Sequence, residues 1–165
     1  MLHGFDRFED MDFNALMKLY REGNLENGAY FYPAESKERQ LTLAEQDCLK
    51  YLKQDFFAKP GVRYWVWEEG GAYISALRLE PMEQGLLLEA LETEPSHRCR
   101  GYARALLAAV LRELPKDSTV YSVVSDDNEA SLRAHKSCGF LAVPMPPAMA
   151  AIYDSKYYVT LSVTT

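Results

Sequence analysis

A basic segment near the middle of the chain has the residue types that bind an anion. It reads RCRGYAR over residues 98–104, so Arg98, Arg100 and Arg104 supply positive charge around Gly101. A glycine lets the backbone approach a ligand closely. Because the segment leads into a predicted helix, its unpaired N–H groups and the positive end of the helix dipole face one point. We therefore interpret it as a phosphate-binding turn.

Two regular elements must hold this turn in place. Residues 86–93, before it, are apolar on both alternating faces apart from Glu89 and Glu92, which predicts a strand covered on both sides. After it, apolar residues recur at helical spacing until Pro115, which predicts an amphipathic helix. The predicted order is buried strand, basic turn and helix.

The run Arg98-x-x-Gly101-x-Ala103 resembles the pyrophosphate loop of the GNAT superfamily of N-acetyltransferases, Arg/Gln-x-x-Gly-x-Gly/Ala. The stretch before it, from Leu91 to Pro95, resembles the end of the family's preceding strand, in register. Two other phosphate-binding patterns are absent, because the dinucleotide fingerprint needs three glycines and the ATP-binding loop needs Gly-Lys-Ser/Thr.

A second stretch extends this resemblance. Residues 126–140 read DDNEASLRAHKSCGF. The spacing of Asn128, Ser131 and Gly139 resembles the family's Asn-x-x-Ser-x-x-x-Tyr-x-x-x-Gly-Phe, with one departure: His135 stands where tyrosine is usual. Asp126 is predicted to cap the helix that this stretch forms.

The resemblance and the periodicity together predict one mixed α/β (α+β) domain over residues 1–165, with a central mixed sheet flanked by about four helices. Strands two to four should form an antiparallel meander, and a right-handed helical crossover should lead to a parallel neighbour. The predicted strands cover residues 2–8, 62–68, 72–80, 86–93, 119–124, 141–143 and 157–163, and the predicted helices cover 12–22, 42–57, 103–114 and 126–139, with a loop over 23–37.

Composition and charge exclude several classes of protein. The chain is 48% hydrophobic and 25% charged, and its net charge of −6 argues against a general nucleic-acid binder. No apolar run is long enough for a membrane span, and the acidic first residues do not resemble a signal peptide. The three cysteines lack metal-ligand spacing and suit a reducing compartment. We expect a cytoplasmic protein without a metal, nucleic-acid or membrane partner.

The resemblance implies that acetyl-CoA is the cosubstrate. The backbone at Leu91 and Thr93 would bind the pantetheine arm as an added strand, and a free N–H there would polarise the thioester carbonyl. Asn128 would brace the helix start and the cofactor. The residues that would hold the pyrophosphate are Arg98, Cys99, Arg100, Gly101, Tyr102, Ala103 and Arg104. For Cys99 the position favours a reactive thiol, and the alternative is a side chain turned into the core.

Glu89 is the candidate general base, since some amine acetyltransferases of the family carry a titratable residue there. It should share a strand face with Thr93, four residues later, whereas Glu92 should lie on the opposite face unless a bulge reverses the parity. The alternative for Glu89 is a structural ion pair with Arg78 or a similar cation. A water molecule relayed by several groups, as in many members of the family, is the alternative base.

His135 is the candidate acid that protonates the departing thiolate, because an imidazole can donate where the family's tyrosine would. The alternative is a core histidine whose ring is satisfied by a backbone carbonyl.

The acceptor is predicted to be a primary amine of a small molecule. The alternatives are a protein or peptide N-acetyltransferase, a bulkier acyl-CoA transferase, and a non-catalytic acyl-CoA sensor; a homodimer is also open. Candidate pocket residues are Tyr30, Tyr32, Glu35, Trp65, Trp67, Glu80, Tyr153 and Tyr157.

Overall fold

The computed structural model describes all 165 residues around one seven-stranded sheet of order β1-β2-β3-β4-β5-β7-β6. The strands are β1 (Leu2–Phe5), β2 (Arg63–Glu69), β3 (Ala72–Met82), β4 (Gly85–Thr93), β5 (Thr119–Ser125), β6 (Leu141–Ala142) and β7 (Tyr158–Thr164). The helices are α1 (Phe13–Leu19), α2 (Arg21–Phe31), α3 (Lys37–Tyr51), α4 (Tyr102–Glu113), α5 (Glu129–Ser137) and α6 (Pro147–Ala150). A π-helical turn, Leu52–Phe56, continues α3.

The sheet confirms the predicted mixed topology. β1 to β4 pair antiparallel in sequence order, joined between β2 and β3 by the Gly70-Gly71 turn. α4 carries the chain from β4 to β5, which is the one parallel neighbour. β6 and β7 close the sheet as an antiparallel pair. None of the helices combines the length and apolar character that a membrane span needs.

Two cores cover the two faces of the sheet. Alternation along β3 divides them, because Ala76 belongs to the first core whereas Leu77 and Leu79 belong to the second. The first core is built mainly from α1, the π-helical turn and the sheet: Met11, Leu16, Met17, Leu19, Leu52, Phe56, Val62, Tyr64, Val66, Tyr73 and Ala76. The second contains the apolar stripe of α4: Trp65, Leu77, Leu79, Leu88, Leu106, Leu107, Val110, Val120, Val124, Phe140 and Leu161.

The predicted loop over residues 23–37 is wrong, because most of it forms α2. Gly28, which suggested a loop, instead permits a close approach of α2 to α3. A Cβ added at Gly28 would lie 2.5 Å from the carbonyl oxygen of Gln40. α3 also begins earlier than predicted, at Lys37, where the Ser36 hydroxyl accepts a hydrogen bond from the backbone N–H of Arg39.

Gly28→Ala is therefore expected to lower the free energy of unfolding by about 1–3 kcal/mol, since the added methyl group must displace backbone. Gly23→Ala is the matched control, because Gly23 lies in the same helix with nothing within 4 Å of an added Cβ. That control should gain about 0.5–1 kcal/mol from helix propensity. Urea unfolding of both variants tests this; equal effects would contradict the packing role of Gly28.

Candidate active site

β4 and β5 begin side by side and then separate. Their parallel pairing joins Leu86–Leu88 to Val120–Ser122. β4 nevertheless continues to Thr93, and β5 continues to Ser125. Beyond Leu88 the sheet thus has a gap between two strands that face each other. The gap opens at the end of β4 from which the chain runs, through a short turn at Pro95–His97, into the basic turn.

A bulge interrupts β4 at the same place. Arg78 of β3 pairs with Glu89 and Ala76 pairs with Glu92, so two residues of β4 lie opposite Leu77 alone. The first of these two, Ala90, has a φ of 53°, which is unusual for a residue with a Cβ.

The bulge reverses the parity of the residues after it. Ala76 and Arg78 point to one face of β3, so their partners Glu92 and Glu89 share that face. Thr93 pairs with Ser75 and points to the other face. We expected Thr93 on the same strand face as Glu89 and Glu92 on the opposite face, and this is wrong. The bulge is the reason, because it adds one residue between Glu89 and Glu92.

Tyr20 reaches the bulge from the junction of α1 and α2. Its hydroxyl donates a hydrogen bond to the carbonyl oxygen of Ala90. Burial raises the pKa of Tyr20 well above its usual value, which keeps the phenol protonated as a donor. The periodicity of the sequence placed Tyr20 on the inward side of a helix, but nothing in it indicated a contact 70 residues away.

Glu89 uses both of its carboxylate oxygens. Oε2 accepts hydrogen bonds from Arg78 Nε at 3.2 Å and Nη2 at 3.1 Å. Oε1 accepts one from the Tyr153 hydroxyl at 2.7 Å. Burial and this hydrogen bond raise the pKa of Tyr153, so its hydroxyl keeps its proton. The ion pair that sequence analysis held as the alternative is thus present, and one lone-pair direction of Oε1 is left for a further donor.

The side chain of Arg98 turns away from the basic turn. Its Nη2 atom lies 2.7 Å from Glu22 Oε2 in the first turn of α2 and 3.2 Å from Glu92 Oε1. Its Nε donates to the carbonyl oxygen of Thr93 at 3.0 Å. Sequence analysis missed Glu22, because the contact joins residues 76 positions apart that no local pattern relates.

Both backbone polar groups of Thr93 form hydrogen bonds with side chains. Its N–H donates to Glu92 Oε1 at 2.9 Å, and its carbonyl oxygen accepts from Arg98. Its hydroxyl lies 3.0 Å from the Ser75 hydroxyl and is buried. A cosubstrate that pairs with the backbone of Thr93 must therefore displace Glu92 and Arg98. Leu91, two residues before Thr93, packs its side chain against the second core.

The start of α4 has the character of an anion site. Gly101, with a φ of 85°, occupies the N-cap position, and no side chain caps the helix. The first N–H groups of α4, from Tyr102 and Ala103 onward, have no partner in the helix. Arg100 and Arg104 are exposed and form no ion pair within the chain. Two of the three arginines thus remain available to an anion at this helix end.

Cys99 is exposed, so the alternative in which it enters the core is wrong. We expect iodoacetamide to modify Cys99 before the other two cysteines, because burial raises the pKa of Cys48 to about 11 and also raises that of Cys138. Saturating coenzyme A should protect Cys99. Peptide mass mapping with and without the ligand tests both statements; Cys99 as the slowest of the three, unaffected by the ligand, would contradict them.

His135 is buried, and its two ring nitrogens differ. Nδ1 lies 2.8 Å from the carbonyl oxygen of Ser131, which can only accept, so Nδ1 carries a proton. Nε2 is buried without a partner, and the ring meets Phe140 edge-on. Burial lowers the pKa of His135, although the bond to Ser131 opposes this shift. The ring is therefore mainly neutral at pH 7, and the carbonyl contact that the core alternative expected is present.

Asn128 caps α5 through its side-chain oxygen, which accepts from the Ser131 N–H at 3.0 Å. This corrects the predicted cap at Asp126, and it agrees with the bracing role expected of Asn128 at the helix start. Asp126 lies outside the helix by three residues.

The predicted pocket residues do not lie together. Tyr153 lies at Glu89, inside the candidate site. Trp65 instead lines a cavity of about 520 Å³ beside Glu113 and Pro115, at the opposite end of α4 from Gly101. The remaining contacts also point elsewhere: Tyr32 bonds to Asp47, Trp67 to Glu69 and Glu80 to Lys59, while Tyr30, Glu35 and Tyr157 are exposed.

Known proteins share this fold. PaiA N-acetyltransferase from Thermoplasma acidophilum, solved in complex with coenzyme A, superposes with a TM-score of 0.65 at 11% identity over 100% of this chain and 99% of that one. Aminoglycoside 6'-acetyltransferase type Ii gives 0.63 at 17% identity over 99% and 96%. The ribosomal-protein-S18-alanine N-acetyltransferase from Escherichia coli gives 0.60 at 15% identity over 99% and 94%. At these identities the likeness shows the fold alone.

A comparison of the sequence with models of protein families identifies the family of this chain. No curated protein sequence matches the chain at a significant level. Residues 24–140, more than half of the chain, match the model of the Acetyltransferase (GNAT) family. This range includes the gap-forming strand β4, the basic turn and α5. The chain therefore belongs to the GNAT family of acetyltransferases.

Proposed function

We propose that the protein transfers the acetyl group of acetyl-CoA to a primary amine of a small molecule. The observation that carries the proposal is the gap between β4 and β5, which opens next to an uncapped helix end and beside the bulge that follows Glu89. A binding cleft, an anion site and a carboxylate thus meet at one end of the sheet. These are the parts that acetyl transfer from a thioester to an amine requires.

The residues present fit a coenzyme A pyrophosphate. An added Cβ at Gly101 would meet nothing within 4 Å, so the space above the α4 N-terminus is open. A phosphate at this position would accept hydrogen bonds from the backbone N–H groups. The positive end of the helix dipole and the nearby Arg100 and Arg104 would stabilise its negative charge. The edge of β4 at Leu91 and Thr93 can pair with the pantetheine amides as an added strand would, once Glu92 and Arg98 release the backbone of Thr93.

Three groups of this chain take part in the reaction. The amine nitrogen attacks the thioester carbonyl carbon, the carbon–sulfur bond breaks, and the amine's proton finally offsets the charge of the thiolate. The backbone N–H of Leu91 polarises the carbonyl. Glu89 accepts the amine's hydrogen bond and proton through the open lone pair of Oε1. His135 donates to the thiolate from Nε2 in its imidazolium form, because Nδ1 keeps its own proton at the Ser131 carbonyl and Nε2 has no other partner within the protein.

Charge on the acceptor side supports a cationic amine. Glu22, Glu89 and Glu92 converge on the side of the sheet covered by α1 and α2, where the guanidinium groups of Arg78 and Arg98 offset two of the three negative charges. The chain as a whole carries a net charge of −6. Amines of small molecules are mostly protonated at pH 7, so this field raises their local concentration.

Release of free thiol from acetyl-CoA tests the function across polyamines, amino acids, aminoglycosides and peptides. We expect turnover with one of the small amines, and none without an amine. Turnover with peptides alone would assign a protein N-acetyltransferase. Turnover only with a longer acyl-CoA would assign a bulkier acyl donor. Tight binding of coenzyme A without any turnover would assign a sensor.

His135→Phe should lower kcat tenfold or more while leaving the affinity for coenzyme A nearly unchanged, because proton donation acts only in the transition state; the typical contribution is about 10²–10⁴-fold. Since burial lowers the pKa of His135, its donor form grows as pH falls, so the ratio of wild-type to variant kcat should rise from pH 8 to pH 6. If the folded variant has the same kcat as the wild type at both pH values, His135 is a packing residue.

A further inference from the structure

The bulge in β4 is a conformation that its own residues do not favour. Ala90 has a φ of 53°, in the left-handed region where a Cβ is sterically disfavoured. Glycine is the usual residue at such a bulge position. A backbone of this kind persists only when its surroundings hold it in place.

Tyr20 is the side chain that holds it. Its hydroxyl donates to the carbonyl oxygen of Ala90 from outside the sheet, on the side of α1 and α2. The donor is itself well anchored, because the backbone N–H of Tyr20 bonds to Leu16 at 3.0 Å where α1 ends, and the residue also begins α2.

The geometry of one peptide unit extends this contact to the next residue. The carbonyl of Ala90 and the N–H of Leu91 belong to the same planar trans peptide, in which the two groups point in opposite directions. A hydrogen bond that fixes the carbonyl therefore fixes the N–H as well. With the Ala90 oxygen held towards Tyr20, the Leu91 N–H is directed away from it.

We propose that Tyr20 is a positioning residue for acetyl transfer, which aims the backbone N–H of Leu91 by holding the carbonyl of Ala90. This rests on the proposed function, in which that N–H polarises the thioester. Tyr20 touches neither substrate and acts through the peptide alone. Without its hydroxyl, the Ala90–Leu91 peptide is free to rotate, and the donor no longer keeps one direction.

Tyr20→Phe is the test, because it removes the hydroxyl and keeps the ring. Isotope-edited infrared spectra of bound acetyl-CoA labelled with ¹³C at the thioester carbonyl report polarisation of that bond directly. We expect a band shifted to lower frequency in the wild type, and a shift at least halved in the variant. We also expect kcat to fall about 10–100-fold with little change in KM for acetyl-CoA, since loss of a complete oxyanion donor costs about 10²–10³-fold.

Tyr73→Phe is the matched control. Tyr73 belongs to the same core, and its hydroxyl accepts a hydrogen bond from the backbone N–H of Asp12 at 3.1 Å and forms no hydrogen bond with β4. This variant should lose comparable stability and keep the wild-type band and kcat. A folded Tyr20→Phe variant with the wild-type band overturns the proposal. A Tyr20→Phe variant that fails to fold also overturns it, because the hydroxyl is then needed for folding and not for positioning. If wild type binds acetyl-CoA without any band shift, the proposed polarisation fails before Tyr20 is tested.

Discussion

Gly101→Val is expected to abolish the binding of coenzyme A while the protein stays folded. Coenzyme A at a hundred times its Kd should stabilise the wild type by about 2.7 kcal/mol. For a chain of this size that corresponds to a rise in Tm of roughly 5–10 °C. Valine cannot easily keep the φ of 85° at this position, and its branched side chain would stand over the N–H groups that receive the pyrophosphate. The variant should show no ligand-dependent rise in Tm.

Gly71→Val provides the control, because it separates backbone strain from loss of the site. Gly71 has a φ of 80° and equally open surroundings, but it lies in the β2–β3 turn. Both variants should lose similar stability without ligand, and only Gly71→Val should retain the shift. A Gly101→Val variant that coenzyme A still stabilises would refute the anion site. Stabilisation of the wild type by NAD or ATP and not by coenzyme A would refute the cosubstrate.

Glu89→Gln is expected to lower kcat by about 10²–10⁴-fold, the usual contribution of a general base. The loss should be greatest at low pH and should recover partly in alkaline buffer, because the amine then sheds its proton without help. The substitution also leaves Arg78 without its charge partner. About a fifth of each side chain is exposed, 23% and 20%, so the loss of stability should stay below the roughly 3–5 kcal/mol of a fully buried pair.

Tyr153→Phe distinguishes the two roles of Glu89. It removes the hydrogen bond to Oε1 and leaves the carboxylate and its pair with Arg78 in place. We expect a smaller loss of kcat, without the recovery in alkaline buffer expected of Glu89→Gln, because the carboxylate itself remains. If Glu89→Gln instead loses activity uniformly across pH, in parallel with Tm, then Glu89 is only the structural partner of Arg78.

The parts of the fold that follow local rules could be predicted from the sequence. β4, the basic turn and α4 are defined by alternation, a glycine and a helical stripe within thirty residues, and their bounds agree closely with the prediction. α2 could not be predicted in the same way. In the local sequence Gly28 indicates a loop. Only its close contact with the backbone of Gln40 in α3 explains why a glycine lies inside a helix.

The candidate site was harder to predict, because its decisive contacts are distant in sequence. Strand alternation predicts side-chain directions only when every residue of β4 is paired regularly, and the bulge at Ala90 breaks that condition. Its partner, Tyr20, comes from another element. Arg98 likewise belongs by motif to the phosphate turn, whereas Glu22 and Glu92 draw its guanidinium to the acceptor side. Motifs identify the residues of such a site, and long-range contacts decide what each one touches.

The contacts of Glu92 and Arg98 with the backbone of Thr93 also bear on solubility. An unpaired strand edge offers its N–H and C=O groups to any other chain, which is a common route to aggregation. The gap between β4 and β5 places such an edge in the middle of a sheet, and the two side chains occupy both backbone groups of Thr93. Glu92 and Arg98 thus protect that edge in protein that holds no cosubstrate. In the function proposed above, pantetheine replaces both side chains at the same edge.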